Sequence, residues 1–188
     1  MKNGIYILLI AMIACRQNKI TIIPPVHKNI ETVRVKTTGG ITYCNEQLFS
    51  GWLFRLNEKG DTILLQPYMN GKLNGKAEQW YVKNQLMEER FYVNGRKEGT
   101  HKGYWENGQL KFEYHFMNDE HEGLQKEWYA DGKVFRLMNY HLGHETGLQK
   151  MYRTDGAYIF NYEVKDGRMY GLTGTKNCKN VGESITRN

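Results

Sequence analysis

A 24-residue period runs through most of this chain and restricts it to a repeat architecture. Three series of positions follow the period: Gly51, Gly75, Gly99, Gly123, Gly147 and Gly171; Gly71, Gly95, Asp119, Gly143 and Gly167; and Gly60, Asn84, Gly108, Gly132 and Gly156. Aromatic residues keep the same step at Tyr68, Tyr92, Phe116 and Tyr140. No insertion interrupts the register between residues 44 and 171. Each repeat is therefore expected to be one unit that packs on its neighbours.

Each repeat contains two turn signals, of which "NGRKEG" and "ENGQL" are examples. Asn-Gly and Asp-Gly predict type I′ hairpin turns, because both central residues of such a turn need a positive φ. The segments between the turns have strand length and are rich in Tyr, Trp, Phe and Val. No apolar pattern is long enough for a helix. We predict an all-β fold, an elongated single-layer antiparallel sheet of five to six repeated β-hairpins.

The segment "YHFMNDEHEGLQKEWYADGKV" (114–134) resembles the MORN repeat in its bacterial variant form. The upstream segment "ITYCNEQLFSGWLFRLNEKGD" (41–61) is similar to the opening unit of such proteins, and the resemblance extends over about 44–171. Asn84 and Asp119 depart from the pattern, since each stands where a glycine is usual. The resemblance implies a MORN-like solenoid of hairpins. It also implies a likeness to bacterial MORN repeat lipoproteins and to the YwqK family of antitoxins.

Residues 1–15 resemble a bacterial lipoprotein signal peptide. Lys2 is positively charged, and residues 5–14 form an apolar run that is too short to span a bilayer. The run ends in "MIAC", which resembles a lipobox, and this resemblance implies acylation of Cys15 and a durable membrane anchor. We therefore predict a lipid-anchored protein of the cell envelope, in the outer membrane rather than the inner one, facing the periplasm or the exterior. The alternatives are a secretory signal cut elsewhere and a cytosolic protein with an apolar N-terminus.

The remaining segments follow from composition and from the limits of the repeat. Residues 16–40 are predicted to be a tether, in which the alternating "TVRVK" at 32–36 indicates a first strand. Residues 41–174 are predicted to hold the hairpin repeats. Residues 175–188 are a C-terminal tail that either caps the last sheet edge or lies loose.

Two cysteines within and after the repeats raise the question of a disulfide in an exported protein. With two strands per repeat and about 4.8 Å per strand, Cys44 and Cys178 lie on the order of 50 Å apart. A disulfide needs Cα atoms within about 7 Å. The two cysteines are therefore predicted not to pair with each other, and each is free, buried or interchain.

The charge distribution and the histidines indicate no catalytic or metal site. The net charge of +6 is spread along the chain, which indicates a solvated basic surface or weak attraction to anionic polymers or lipid headgroups. His141 and His144 lie near Glu145, with His121 in the preceding repeat, and we interpret these as exposed turn histidines rather than metal ligands. We predict a protein that is not an enzyme, with no cofactor, no metal and no nucleic-acid partner.

Aromatic and basic side chains recur at equivalent positions and form the candidate binding set: Trp80, Tyr81, Tyr104, Trp105, Trp128, Tyr129, Lys102, Lys126 and Lys150. The aromatic residues have two interpretations, as a ladder that holds the hairpins together or as a recognition strip for glycans, peptides or lipid headgroups. The lysines likewise form either a basic row for a polyanion or an ordinary solvated face.

The function that these observations favour is binding. We predict a non-catalytic, membrane-anchored lipoprotein whose repeat sheet is a scaffold for a protein or polymer of the bacterial cell envelope. The alternative is an antitoxin-like protein that neutralises a partner toxin by direct binding. An envelope enzyme is the third, least favoured hypothesis.

Overall fold

The computed structural model describes residues 22–82 and 84–173, and every regular element in these ranges is a β-strand. The strands are β1 (His27–Asn29), β2 (Val35–Thr38), β3 (Ile41–Cys44), β4 (Gln47–Leu48), β5 (Gly51–Leu56), β6 (Thr62–Met69), β7 (Lys72–Leu73), β8 (Gly75–Trp80), β9 (Leu86–Val93), β10 (Arg96–Lys97), β11 (Gly99–Tyr104), β12 (Leu110–Met117), β13 (Glu120–His121), β14 (Gly123–Trp128), β15 (Val134–His141), β16 (His144–Tyr152), β17 (Tyr158–Lys165) and β18 (Arg168–Leu172). Within these two ranges, no helix is long and apolar enough to cross a membrane.

Fifteen of the strands form one large sheet, in which each long strand from β5 onward pairs with the long strands before and after it in sequence. Its order is β1-β5-β6-β8-β9-β11-β12-β14-β15-β16-β17-β18, with the short strands β7, β10 and β13 paired to β6, β9 and β12. All of its pairings are antiparallel except that of β1 with β5. The predicted all-β sheet of repeated hairpins is confirmed.

The register of the strands repeats with the sequence period. In successive repeats the glycine that opens the first long strand faces an aromatic residue of the second: Gly51 faces Tyr68, Gly75 faces Tyr92, Gly99 faces Phe116 and Gly123 faces Tyr140. A register shift then follows near the far end of each hairpin, as between Gly103 and Tyr104. The constant 24-residue spacing in the sequence is therefore the spacing of cross-strand pairs, which stabilise a sheet.

The two turns of each repeat differ in type. At the first turn both central residues have positive φ, for example 51° at Asn94 and 84° at Gly95, as the predicted type I′ turn requires. At the second turn only one residue does, for example Gly108 at 83°. The N–H of Gly108 donates to the Trp105 carbonyl, and the N–H of Trp105 donates to that of Gln109, so this is a three-residue loop with a G1 bulge. The type I′ prediction is wrong for the second turn.

The side chain before the glycine explains why the second turn also has the sequence Asn-Gly or Asp-Gly. The Asn107 carboxamide oxygen accepts a hydrogen bond from the N–H of Gln109 at 3.1 Å. The Asp131 carboxylate accepts from Lys133 in the same way at 3.0 Å. These are Asx turns, in which the short polar side chain stabilises the bend without itself needing a positive φ.

The first turns at residues 70–71, 94–95, 118–119 and 142–143 are each tied to the repeat before them by two hydrogen bonds, which we call the turn clamp. One backbone N–H donates to a side-chain oxygen 20 residues earlier, at 2.8–2.9 Å, in the pairs Asn70–Ser50, Asn94–Asn74, Asn118–Glu98 and Leu142–Glu122. The next N–H donates to a carbonyl 22 residues earlier, at 2.7–3.0 Å, in the pairs Gly71–Phe49, Gly95–Leu73, Asp119–Lys97 and Gly143–His121. The clamp satisfies turn donors that a lone hairpin would leave to water.

The N-terminal end of the large sheet is covered. A separate three-stranded sheet, β2-β3-β4, packs there, and the buried cluster comprises Cys44, Phe49, Leu53 and Tyr68. Cys44 is a buried free thiol, in agreement with the prediction, whereas Cys178 lies outside the described residues.

Part of the range predicted as a tether belongs to this folded end. Residues 27–29 pair in parallel with β5, and residues 35–38 are the outer strand of the small sheet. The first strand predicted at 32–36 is misplaced, because residues 30–32 form a turn that the Thr32 N–H closes onto the Asn29 carbonyl. Cys15 and the tail at 175–188 lie outside the described residues.

Two glycines at the same turn position allow a matched test of this packing. Gly71 and Gly167 have nearly equal φ, +74° and +71°, but a Cβ on Gly71 would lie 2.7 Å from Ile41 and 2.8 Å from the Thr42 carbonyl, whereas a Cβ on Gly167 meets nothing within 4 Å. Gly167→Ala should lower the free energy of unfolding by about 1 kcal/mol, the cost of a left-handed alanine.

Gly71→Ala should lower the free energy of unfolding by a further ~1–3 kcal/mol, because the small sheet must move away from the added methyl group. Urea unfolding of both variants measures the difference. Equal losses would show that the small sheet does not press on this turn.

Candidate functional site

The two faces of the large sheet differ in what they expose. We call the face that carries Lys102, Glu113 and Lys126 the open face, and the face that carries Leu53, His101 and Gln149 the buried face. Because side chains alternate along a strand, residues two apart share a face. The side chains of His101 and its neighbour Lys102 therefore point to opposite faces. On each face, the register aligns side chains of adjacent strands in rows that cross the sheet.

The predicted basic row exists as a line but not as an unbroken positive charge. Across adjacent strands Lys102 pairs with both Glu89 and Glu113, and Glu113 pairs with Lys126. The Lys102 ammonium lies 3.7 Å from one Glu113 oxygen, and the Lys126 ammonium lies 3.5 Å from the other. Half-exposed ion pairs of this kind stabilise a fold by less than about 1 kcal/mol. These pairs do, however, neutralise the positive charge of the row, which a polyanion would need for binding.

Lys150 occupies the same row in a different setting. Its cross-strand neighbours are Leu137 and Asn161, and no ion pair joins it to a carboxylate in the described part of the chain. The exposed side chain of Leu148 lies two residues before it on the same face. This end of the row is therefore positive and apolar, whereas the middle of the row is charge-balanced.

The first aromatic of each predicted pair ends a long strand. Trp80, Tyr104 and Trp128 lie opposite Leu86, Leu110 and Val134, immediately after the register shift, and all three are half-buried. The Tyr104 hydroxyl donates to Glu89 at 3.4 Å, so this ring leans over the charged row of the open face.

The second aromatic of each pair connects one repeat to the next. Its side-chain hydroxyl or indole N–H donates to the backbone carbonyl of the residue 23 positions later. The pairs are Tyr81–Tyr104 at 3.0 Å, Trp105–Trp128 at 3.1 Å and Tyr129–Tyr152 at 2.8 Å. This arrangement matches the ladder interpretation of the aromatic residues. Of the nine candidate binding residues, these three have a structural role in the geometry, and Lys102 and Lys126 are ion-paired.

The buried face carries a 24-residue series that the sequence did not single out: Leu53, Ala77, His101, Gln125 and Gln149. Each lies two residues after the opening glycine of its repeat, where the side chain points inward. The Gln125 carboxamide accepts from the His115 N–H at 2.8 Å and donates to the His115 carbonyl at 3.2 Å. Gln149 does the same with Asn139 at 3.0 and 2.9 Å. Buried amides fully paired in this way fix the register between strands.

His101 replaces the glutamine in its repeat and is only 1% exposed. Its Nε2 lies 2.8 Å from the Phe91 carbonyl, while Nδ1 is buried without a partner in the described residues.

The sequence predicts that His121, His141 and His144 are exposed turn histidines. His141 and His144 are exposed, but the prediction is wrong for His121, which is half-buried and packs its ring between Phe116 and Tyr140. No described group of three His, Cys, Asp or Glu side chains is arranged to hold a metal ion.

A column of five rings runs along the buried face through three repeats. The order is Tyr92, His101, Phe116, His121 and Tyr140, with successive centroids 5.5, 4.7, 4.4 and 5.2 Å apart. Contacts at these distances add to the hydrophobic term of each pair.

A polar cluster lines a shallow pocket beside this column. Glu127 accepts hydrogen bonds from the Tyr114 hydroxyl and from the Arg136 guanidinium, and Gln125, His121 and Met138 complete the lining. Burial and the Glu127 carboxylate raise the pKa of Tyr114 to about 12, so the phenol remains a hydrogen-bond donor at neutral pH. The equivalents of Glu127 in the other repeats are Arg55, Gln79, Gly103 and Met151, so the one carboxylate in this series was the available sequence signal.

His101 should make stability depend on pH. Burial is the largest cause of its lowered pKa, and the nearby cations of Arg90 and Lys97 add to it. The unfolded chain then binds a proton below about pH 6.5 that the folded chain does not, so stability falls by up to about 1.4 kcal/mol per pH unit on acidification. His101→Gln, which installs the side chain of the next two repeats, should reduce this loss between pH 7.5 and 5.5.

Urea unfolding at the two pH values measures the effect. His144→Gln removes an exposed turn imidazole and is the matched control, which should keep the wild-type slope. If His101→Gln and the wild type show parallel pH profiles, the buried imidazole does not titrate as described.

Comparison with known families bears on the middle of the sheet. The model of the MORN repeat variant matches residues 97–118, which contain β11 and β12, and residues 122–141, which contain β14 and β15. No curated protein matches the chain. Two repeats of this chain, each containing one long hairpin of the sheet, are therefore repeats of the MORN variant.

Proposed function

We propose that this protein is a non-catalytic, membrane-anchored scaffold of the bacterial cell envelope whose open face binds a protein partner. The observation that carries the proposal is the register of the open face. Equivalent side chains of successive repeats lie in continuous rows across the sheet, which suits recognition of an extended surface rather than of a small molecule.

The charges of the open face favour a protein over a polyanion. Glu89, Lys102, Glu113 and Lys126 alternate in sign, with neighbours directly opposed across the strands except at the partly apolar end near Lys150. A polyanion gains affinity from uncompensated cations, whereas the rim of a protein interface typically mixes both signs around an apolar centre. Half-buried Trp128 and exposed Leu148 supply apolar surface beside this row.

The membrane anchor in this proposal rests on the sequence of the N-terminus. The "MIAC" segment and the apolar run before it support acylation of Cys15. The twelve residues from Cys15 to the start of β1 can span at most about 40 Å. An anchored sheet would then present its N-terminal end toward the lipid and its repeats away from it.

Site-specific photo-crosslinking in intact cells tests the binding face. Leu148 and Leu142 are similarly exposed, 51% and 48%, but Leu148 lies on the open face and Leu142 lies in a turn at the sheet margin. A photoreactive residue at 148 should capture one distinct protein, and the same residue at 142 should not. Lys150→Glu should reduce capture at 148, because it reverses the unpaired charge beside the contact.

Equal capture at both positions, or none at 148, would remove the support for the open face as the binding surface. The antitoxin hypothesis has its own outcome in this experiment, since it requires the captured protein to be a toxin made alongside this chain.

Palmitate labelling tests the anchor separately. The wild-type chain should incorporate labelled palmitate and fractionate with membranes, and Cys15→Ala should lose both properties because the acceptor thiol is gone. Cys178→Ala is the matched control and should keep both. Labelling that persists in Cys15→Ala would assign the lipid to another residue or exclude the lipobox.

A further inference from the structure

The two ends of the large sheet are not equivalent. At the N-terminal end β5 is covered by the parallel strand β1 and by the small sheet. At the other end β18 pairs with β17, and the far edge of residues 168–172 pairs with no strand in the part of the chain that the structure describes. An uncovered edge offers backbone donors and acceptors to another strand.

The side chains of this edge do not protect it against pairing with another strand. Met169, Tyr170 and Leu172 are 58%, 54% and 54% exposed. Exposed edges are usually kept apart by charges or proline. Tyr170 stands where earlier repeats have the polar residues Asn74, Glu98, Glu122 and Thr146, and Met169 stands where they have Lys97, His121 and Glu145 but also the apolar Leu73. Met169 and Tyr170 therefore bring apolar surface to positions that are mostly polar in earlier repeats, whereas Leu172 stands where the two preceding repeats also have leucine.

The edge is also unsuited to another repeat stacked in the same direction. The equivalents of Tyr170 in two earlier repeats are Glu98 and Glu122, whose carboxylates accept the turn clamp of the following repeat. Ser50 and Asn74 serve the same purpose with shorter side chains, whereas Tyr170 carries its only side-chain oxygen at the far end of a phenol ring. At the opposite end the outermost strand is β1, which has only three residues and pairs in parallel with β5. A head-to-tail contact between β18 and β1 would therefore pair fewer residues than an isologous contact between two five-residue β18 strands.

We propose that two copies of this chain form a dimer in which β18 pairs antiparallel with β18 of the second copy. The two-fold axis passes beside Tyr170, so that Tyr170 faces its own counterpart. In this register Met169 lies opposite Gly171 of the second copy, and Arg168 lies opposite Leu172.

This register is self-complementary in shape and charge. Met169 and Gly171 point to the same side of the sheet, because they pair with Val164 and Tyr162 of β17, so a long side chain meets a residue with none. The tyrosine pair is an aromatic cross-strand pair. Arg168 does not face a like charge. The remaining residues 174–188 have three apolar side chains, Cys178, Val181 and Ile185, which gives them less apolar surface to offer the edge than a second β18.

Cysteine cross-linking of the full chain in cells tests the register, in a background with Cys178→Ser. Directly opposed Cα atoms lie about 4.5–5.5 Å apart, within disulfide range. Tyr170→Cys should therefore give a disulfide dimer on oxidation. Arg168→Cys or Leu172→Cys alone should not, because the two copies of each lie about 14 Å apart along the strands. The double variant Arg168→Cys, Leu172→Cys should dimerise again.

Every other pattern overturns the proposal. Absence of a dimer with Tyr170→Cys means that the edge is covered by residues 174–188 or by nothing. Equal dimer formation at 168, 170 and 172 means random collision. An adduct of Tyr170→Cys with a different protein means that the edge receives another partner.

Sedimentation equilibrium of the full chain in detergent gives an independent readout. Tyr170→Lys should raise the dimer dissociation constant by about tenfold or more, because it removes an aromatic pair and opposes two like charges. Leu142→Lys changes a similarly exposed apolar residue away from the edge and should leave the dissociation constant unchanged. A wild-type chain that stays monomeric, or a Tyr170→Lys chain that dimerises normally, contradicts the proposal.

Discussion

The hydrogen bonds of the turn clamp are the constraint on which the rest of the structure depends. A two-stranded hairpin is marginally stable in water, and a repeat of 24 residues buries little by itself. The clamp gives the turn N–H groups partners only when the preceding repeat is in place. Folding of one hairpin therefore favours folding of the next, and the rows on both faces exist because this contact fixes the spacing.

The clamp also explains which positions in the repeat can vary. Its side-chain acceptor is a serine, an asparagine or a glutamate in different repeats, since the turn needs only an oxygen at that point. The turn glycine is replaced at Asp119, which has a φ of 73°. Its carboxylate accepts the Lys97 N–H at 2.7 Å, a bond that helps to offset the strain of a left-handed residue. The residue types at the clamp positions can therefore change while the turn conformation and its hydrogen bonds stay constant.

The sequence predicts the architecture because the period and the Asn-Gly turns are local signals. The small N-terminal sheet was less predictable, since its strands follow no repeat. The setting of Lys102 was missed for another reason: equal spacing of lysines says nothing about Glu113, which reaches them only through strand pairing. His101 was missed because its equivalents include Leu53 and Gln125, a mixture without an apolar pattern. Only the register shows that this position points inward.

The constant 20-residue reach of the clamp has a consequence for how such chains change in length. Each acceptor serves only the repeat that follows it, so an insertion or deletion of one whole period joins a compatible acceptor to a compatible turn. A change of any other length would leave donors without acceptors at the junction. Genes of this kind can therefore lengthen or shorten the sheet by unequal recombination between repeats, while the two differently built ends are retained.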